Sequence, residues 1–190
     1  APATVMGVSF SGELAYEIHI PNASLYAAYT ALRAAGNAHG LKLFGALDVD
    51  SMRMEKGYLH WKADILTEFD PFETGLDRFV KMDKGDFVGK AALLERSKTP
   101  PKKRLVTLVV NDTTAPAHGG ASVMVDGKVV GTVTSGDYGH RTGKNIAYAF
   151  VDAACAGVGA KAEIDILGKL VPAEVTEPAL YDAKMEKVRS

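Results

Sequence analysis

Cysteine is almost missing from this sequence. Cys155 is the only one among 190 residues, so no intrachain disulfide can form. Its Ala/Gly/Val surroundings read as those of an inert, packed thiol, and a reducing compartment is the expectation. Long apolar runs are missing too: none reaches the roughly 20 residues that a transmembrane helix needs. Charge of one sign is not in excess. With 24% charged residues and a net charge of −1, the chain has no broad pull on nucleic acid or a membrane surface. The opening "APATVMGVSF" has no charged n-region, which argues against a signal peptide. It also has no leading Met and runs almost at once into a strand pattern, which reads as a piece of something longer. The expected setting is soluble, in the cytoplasm or the mitochondrial matrix.

The common catalytic signatures are absent as well. Gly85 to Lys90 holds glycines and a lysine without phosphate-loop spacing, and no complete Rossmann glycine fingerprint occurs. No Gly-x-Ser-x-Gly elbow marks a nucleophile. The five histidines, His19, His39, His60, His118 and His140, show neither helical His-x-x-x-His spacing nor a neighbouring cysteine pair, so no metal site is expected. His60 is kept as a candidate because Tyr58 and Trp61 flank it. A packing role is still the favoured reading for it.

What is present divides at "SKTPPKKR". Its double proline and charge favour an extended, solvated connector, which gives units 1–96 and 105–190 joined by a linker over 97–104. In the first unit, Val5 to Ile20 reads as one strand or a bent hairpin arm, broken near Ser11-Gly12. Helical spacing of Leu25, Ala28, Tyr29, Leu32 and Ala35 predicts a helix to about Ala38 with that set as its core face. A second helix fits Gly45 to Lys56, with Gly57 as its cap. "HWKADILTEFDPFETGL" reads as loop, and a third helix covers Val88 to Arg96 with Asp86 as its cap. The second unit is all short strands: "RLVTLVV", a hairpin turning at Asp126-Gly127, "NIAYAFV", and "AEIDILGKLVPAEVTE" with a turn at Gly168-Lys169. This spacing implies a small antiparallel barrel or sandwich, and an α+β class for the whole.

Two clusters of residues carry chemistry. One is "FSGELAYEIHIP", with Phe10, Tyr16 and Glu17. The other is "SMRMEKGYLHW", with Arg53, Tyr58, His60 and Trp61. Aromatic walls stack on flat heterocycles, a carboxylate pairs with two adjacent N–H donors, and an arginine holds an anionic or carbonyl edge. Together they suit a planar ligand with an amidine-like edge. Salt bridges and core packing explain the same residues, and on spacing alone these are favoured.

At these residues the chain resembles the glycine-cleavage T-protein (aminomethyltransferase) family, most closely the folate-binding part of dimethylglycine and sarcosine dehydrogenases. "FSGELAYEIHIP" resembles the family's Tyr-Thr-Gly-Glu-x-Gly-Tyr-Glu strand, and "GALDVDSMRMEKGYLHW" its Arg-x-Glu-x-Gly segment. "DPFETGLDRFVKMDKGDFVGKAAL" resembles the stretch that closes the folate domains. "TSGDYGHRTGKNIAYAFV" and "EPALYD" resemble the terminal barrel. Phe10 stands where the family often has tyrosine, Ala15 where it has glycine, and Trp61 where T-proteins have tyrosine.

The resemblance implies a partial mixed α/β folate-binding domain followed by an antiparallel β-barrel, the second half of a cloverleaf around one folate. It assigns the tetrahydrofolate pocket to Glu17 as the pterin carboxylate, to Arg53 and Tyr181, and to Phe10 and Trp61 as aromatic walls. Glu13 gets no ligand role. The family's catalytic aspartate would lie before residue 1, so no catalytic residue is assigned within this chain and no metal is implied. FAD would belong to an upstream domain that this chain lacks. The implied reaction is oxidation of an N-methyl amine to an iminium whose one-carbon unit tetrahydrofolate accepts. The implied partners are folate, a small methylated amine and the N-terminal domains of the same protein. Other readings are a docking module without folate affinity and a stand-alone transferase or demethylase.

Overall fold

The computed structural model describes residues 2–111 and 115–189. The chain opens with a small hairpin. Strand β1 (Thr4–Met6) pairs antiparallel with β2 (Glu17–His19), with Thr4 opposite His19 and Met6 opposite Glu17. The break at Ser11-Gly12 is therefore a hairpin connection, and Gly12 adopts a left-handed φ of +79° there. Helix α1 (Leu25–Asn37) follows. Its expected core face is not a core: no residue of α1 is buried, and Leu25, Tyr29 and Leu32 are exposed. The paired strands and α1 stand apart from the barrel core, while the hairpin connection rests on Lys56. Between the strands and α1 lies an open groove of about 570 Å³, lined by Ile18, Ile20, Ala28, Leu32 and Ala35 among others.

Helix α2 (Ala46–Glu55) is the buried helix of the first unit, with Ser51, Arg53, Met54 and Glu55 covered. Asp48 Oδ2 accepts the Gly45 amide at 2.7 Å, satisfying a first-turn donor. Gly57 takes φ +77° just past its end, as a C-terminal stop requires. The segment expected to be loop contains a short helix, α3 (Pro71–Thr74). Asp70 accepts the amides of Phe72 and Glu73, proline occupies the first turn, and Gly75 ends the helix at φ +71°. Helix α4 spans Lys90–Arg96, two residues shorter at its start than the pattern implied. Gly89, not Asp86, stands at its N-cap, and φ +91° at Gly89 prevents earlier helical turns.

The rest of the chain forms a closed six-stranded antiparallel barrel, in the order β3-β6-β5-β4-β7-β8. The strands are β3 (Lys103–Val110), β4 (Ser122–Val125), β5 (Lys128–Gly139), β6 (Lys144–Asp152), β7 (Lys161–Ile166) and β8 (Lys169–Thr176). β3 begins at Lys103, so pairing takes in the last two residues of the basic connector. The β4–β5 turn is Asp126-Gly127, both at positive φ. The β7–β8 turn is Leu167-Gly168, one residue earlier than expected. There Asp165 Oδ1 accepts the Gly168 amide at 2.8 Å and fixes the register.

Alternate residues fill the barrel: Val106, Leu108 and Val110 on β3, Ala147, Ala149 and Val151 on β6, and Val171, Ala173 and Val175 on β8. β6 is covered on its other face too. Ile146 and Tyr148 pack with Met54 of α2, and Phe69 stacks on Phe150 at 3.6 Å between ring centroids. That second face joins the helical part to the barrel. Among the described residues, no helix is long and apolar enough to cross a membrane.

Candidate functional site

The joint between α2 and the barrel is built on charge. Arg53 is 3% exposed. Its Nε donates to Asp50 at 2.9 Å, and its Nη1 to Asp64 Oδ2 at 2.6 Å and to the Tyr58 carbonyl at 3.2 Å. Its Nη2 donates to the Ser135 hydroxyl at 2.9 Å. Its guanidinium carbon lies 5.5 Å from the centre of the Tyr148 ring. Asp64 has no exposed surface. Besides Arg53 it accepts the His60 amide at 2.9 Å and the hydroxyls of Thr134 and Ser135 at 2.5 and 2.7 Å. A β-bulge between Val133 and Ser135 sends two consecutive side chains to the same carboxylate. Every buried charge here is paired and hydrogen-bonded, as burial demands.

A second cluster surrounds Glu55, also fully buried. Its carboxylate accepts the Arg141 and Thr142 amides at 2.7 and 2.8 Å and Arg141 Nε at 2.5 Å. Arg141 spends its other two nitrogens on Glu13 Oε1 at 2.7 Å and on the Met52 carbonyl at 2.6 Å. The Met52 contact puts a cation at the C-terminal end of α2, where the helix dipole favours it. Burial works against the charge on Arg141, but hydrogen bonds to Glu55 and Glu13 outweigh it and raise the pKa. Tyr181 completes the group. Its hydroxyl donates to Glu13 Oε1 at 2.6 Å and its ring lies 4.0 Å from the Arg141 guanidinium. The Tyr181 hydroxyl is the largest influence lowering the Glu13 pKa; partial burial opposes it and Arg141 reinforces it.

The chain's last segment straps this joint. The amides of Leu180 and Tyr181 both donate to the Glu55 carbonyl at 2.9 Å, capping α2. Lys56 Nζ donates to Asp182 Oδ2 at 2.5 Å, and both side chains are nearly inaccessible. Gly57 lies against the strap: a Cβ there would sit 2.7 Å from the Pro178 carbonyl oxygen.

Above the charged layer, between the helical part and the barrel wall, is a cavity of about 530 Å³. Phe10, Tyr58, Leu59, Phe79, Leu105 and Tyr148 are among its lining residues. The size suits an organic ligand. Of the five residues that the resemblance assigns to the folate pocket, Phe10 alone lines it, joined by Tyr58 of the second sequence cluster. Arg53 lies beneath, engaged with protein groups at all three guanidinium nitrogens. Glu17 is exposed on β2, with His19 Nε2 at 3.1 Å. Trp61 is also exposed and makes an isolated bridge to Ile65, a cavity residue. Tyr181 sits in the Glu55 cluster. His60 contributes its amide to Asp64, and its ring lies 6.3 Å from Phe10.

Sequence reasoning missed Asp64 and Arg141 and gave Glu13 and Glu55 no role. Asp64 lies in a stretch rich in aromatics and carboxylates that gives no period to read. Glu55 sits beside apolar Met54 in a helix without a clean stripe, and a charge at such a position signals a buried partner. Arg141 sits within the turn over residues 140–143 between β5 and β6 and carries no sequence signal.

A closed six-stranded barrel fastened by buried ion pairs to a short helical unit defines the class. Family models agree. The GCVT N-terminal domain matches residues 1–84, and the glycine cleavage T-protein C-terminal barrel domain matches residues 103–182. The chain belongs to the glycine-cleavage T-protein family. It is 34% identical over 180 residues to human mitochondrial dimethylglycine dehydrogenase, spanning 94% of this chain and 21% of that protein. It is 36% identical over 173 residues to the aminomethyltransferase of Saccharopolyspora erythraea, spanning 90% of this chain and 47% of that protein. The crystal structure of aminomethyltransferase T from Bartonella henselae superimposes with a TM-score of 0.81 at 25% identity, covering 91% of this chain and 48% of that one. The chain thus spans about a fifth of the dehydrogenase and about half of the transferases.

Proposed function

We propose that this chain is the C-terminal part of a tetrahydrofolate-dependent one-carbon transfer unit. The longer protein would oxidise an N-methyl amine such as dimethylglycine or sarcosine, with FAD in an upstream domain, in the mitochondrial matrix or the cytoplasm. The observation that carries the reading is Phe10, which stands in the family-like segment before β2 and also lines the cavity at the joint.

The residues suit the group. Tetrahydrofolate offers a flat ring with an amidine-like edge, and Phe10 and Tyr58 supply an aromatic wall. Glu17 carries an exposed carboxylate whose partner is a histidine, so its charge is available to adjacent N–H donors. When bound, the cofactor supplies the nitrogens that accept the one-carbon unit. The chain's own work is to bind, orient and exclude water, raising the effective concentration of the reacting groups. Arg53 acts from beneath, fixing the Tyr58 carbonyl and the Tyr148 ring. Trp61 would shield the outer side, and Tyr181 acts through Glu13. No general acid or base is assigned within these residues.

Calorimetric titration of the full-length protein with a stable reduced folate tests this. Glu17→Gln should weaken binding about tenfold or more, as loss of a charge-assisted hydrogen bond of about 1.5–3 kcal/mol requires. Equal binding by wild type and variant would remove Glu17 from the site, and wild-type protein that binds no folate would overturn the reading. The uncovered groove along α1 supports a second reading, a docking module that holds the rest of the protein and has no folate affinity.

A further inference from the structure

We propose that Glu13 is a positioning residue: through Arg141 and Tyr181 it fixes the segment that leads into β2 and presents Glu17. This role rests on the folate reading above, in which Glu17 orients the ring.

Glu17 has little else to hold it in place. β2 is three residues long and, among the described residues, pairs only with an equally short β1, and an isolated pairing of that length is marginal in water. Between Glu13 and Glu17, Leu14 and Tyr16 are exposed, at 55% and 64%, so no core anchors the intervening stretch. The fixed points lie just before it. The Gly12 backbone rests on the stem of Lys56, so closely that a Cβ would meet its Cδ at 2.9 Å. Lys56 is itself tied to Asp182. At the next residue, Glu13 Oε1 accepts from Arg141 Nη1 and from the Tyr181 hydroxyl.

Both donors are held independently of Glu13. Arg141 is locked on buried Glu55 and on the Met52 carbonyl, and the Tyr181 amide on the Glu55 carbonyl. The carboxylate therefore docks onto a preformed seat, which costs little entropy and fixes geometry well. The Glu13 side chain is about a third exposed, at 36%. Removing it leaves Arg141 paired with Glu55 and strands no buried charge, so its loss separates positioning from folding.

The test is a double-mutant cycle in the full-length protein, with calorimetric titration of a stable reduced folate as readout. Glu13→Ala should weaken binding about tenfold, comparable to losing the Glu17 contact itself. Its melting temperature should fall only slightly, because so exposed an ion pair contributes little to stability. In a Glu17→Gln background the same change should cost almost nothing further, because Glu13 acts through Glu17. Amide hydrogen exchange over residues 10–17 should quicken while the barrel stays protected. If wild type binds folate and Glu13→Ala binds it equally well, the positioning role is overturned and the folate reading stands. Losses that multiply in the double variant, or unchanged exchange over 10–17, also overturn it. A wild-type protein without folate affinity removes both proposals together.

Discussion

Arg53 Nη1 donates to Asp64 Oδ2 at 2.6 Å on the helical side of the joint, where neither side chain is open to water. Breaking one side of such a pair leaves an uncompensated buried charge, at a cost of about 3–5 kcal/mol. Asp64→Ala should lose stability of that order in urea unfolding, and Asp64→Asn less, because an amide oxygen still accepts hydrogen bonds. Thr134→Val, which removes one of the four donors to Asp64, should cost about 1 kcal/mol.

Gly57→Ala meets two obstacles at once. The backbone is left-handed, and the new methyl group would press on the Pro178 carbonyl. A loss of about 1–3 kcal/mol is expected. It should appear first as faster hydrogen exchange and proteolysis of the C-terminal strap, before any change in the barrel.

Acid should loosen the Glu13 and Asp182 contacts in a definite window. Both carboxyls have lower pKa values folded than unfolded, through Tyr181 and Lys56 respectively as the leading donors. The unfolded chain therefore takes up these protons first as pH falls. The stabilisation is complete above the ordinary values of 4.5 and 3.8 and fades as pH drops through them toward the folded values. The urea midpoint should stay level from neutral pH down to that window and then decline. Glu13→Gln should flatten the upper part of the decline. A Glu13→Gln acid limb that overlays wild type would contradict this assignment.

The groove between the hairpin and α1 exposes contiguous apolar surface of the kind that marks an interaction face. Residues 1–190 prepared alone should bind a hydrophobic dye and associate with rising concentration in light scattering. Ile18→Ser with Leu32→Ser should reduce both effects. In the full-length protein the same pair should instead be destabilising if the rest of the protein covers this face.

The barrel was largely legible in the sequence because period-two patterns such as Val106, Leu108 and Val110, and a turn such as Asp126-Gly127, are local signals that tertiary context reinforces. α1 and α2 were legible to within a residue or two for the same reason, but α1's apolar stripe says only that a face wants cover. The structure leaves Leu25 and Leu32 uncovered. The β7–β8 turn slipped by one residue because Asp165 decides it through a side-chain hydrogen bond, which composition does not display. At the site, Phe10 and Arg53 stood out by residue type. Arg141 did not, because its partners Glu55, Met52 and Glu13 lie more than 80 residues away in the chain; Asp64 did not, because its two barrel partners, Thr134 and Ser135, are brought to it only by folding.

β6 is the strand on which both halves of the molecule lean. From Asn145 to Val151 every residue is at most 3% exposed, with one face serving the barrel interior and the other serving α2 and Phe69. A saturation-mutagenesis profile of the chain should therefore read β6 as one unbroken intolerant block of seven positions. β8 should give an every-other-residue comb, and α1, taken alone, an almost permissive stretch. The seam between the two units would thus be visible from fitness data alone.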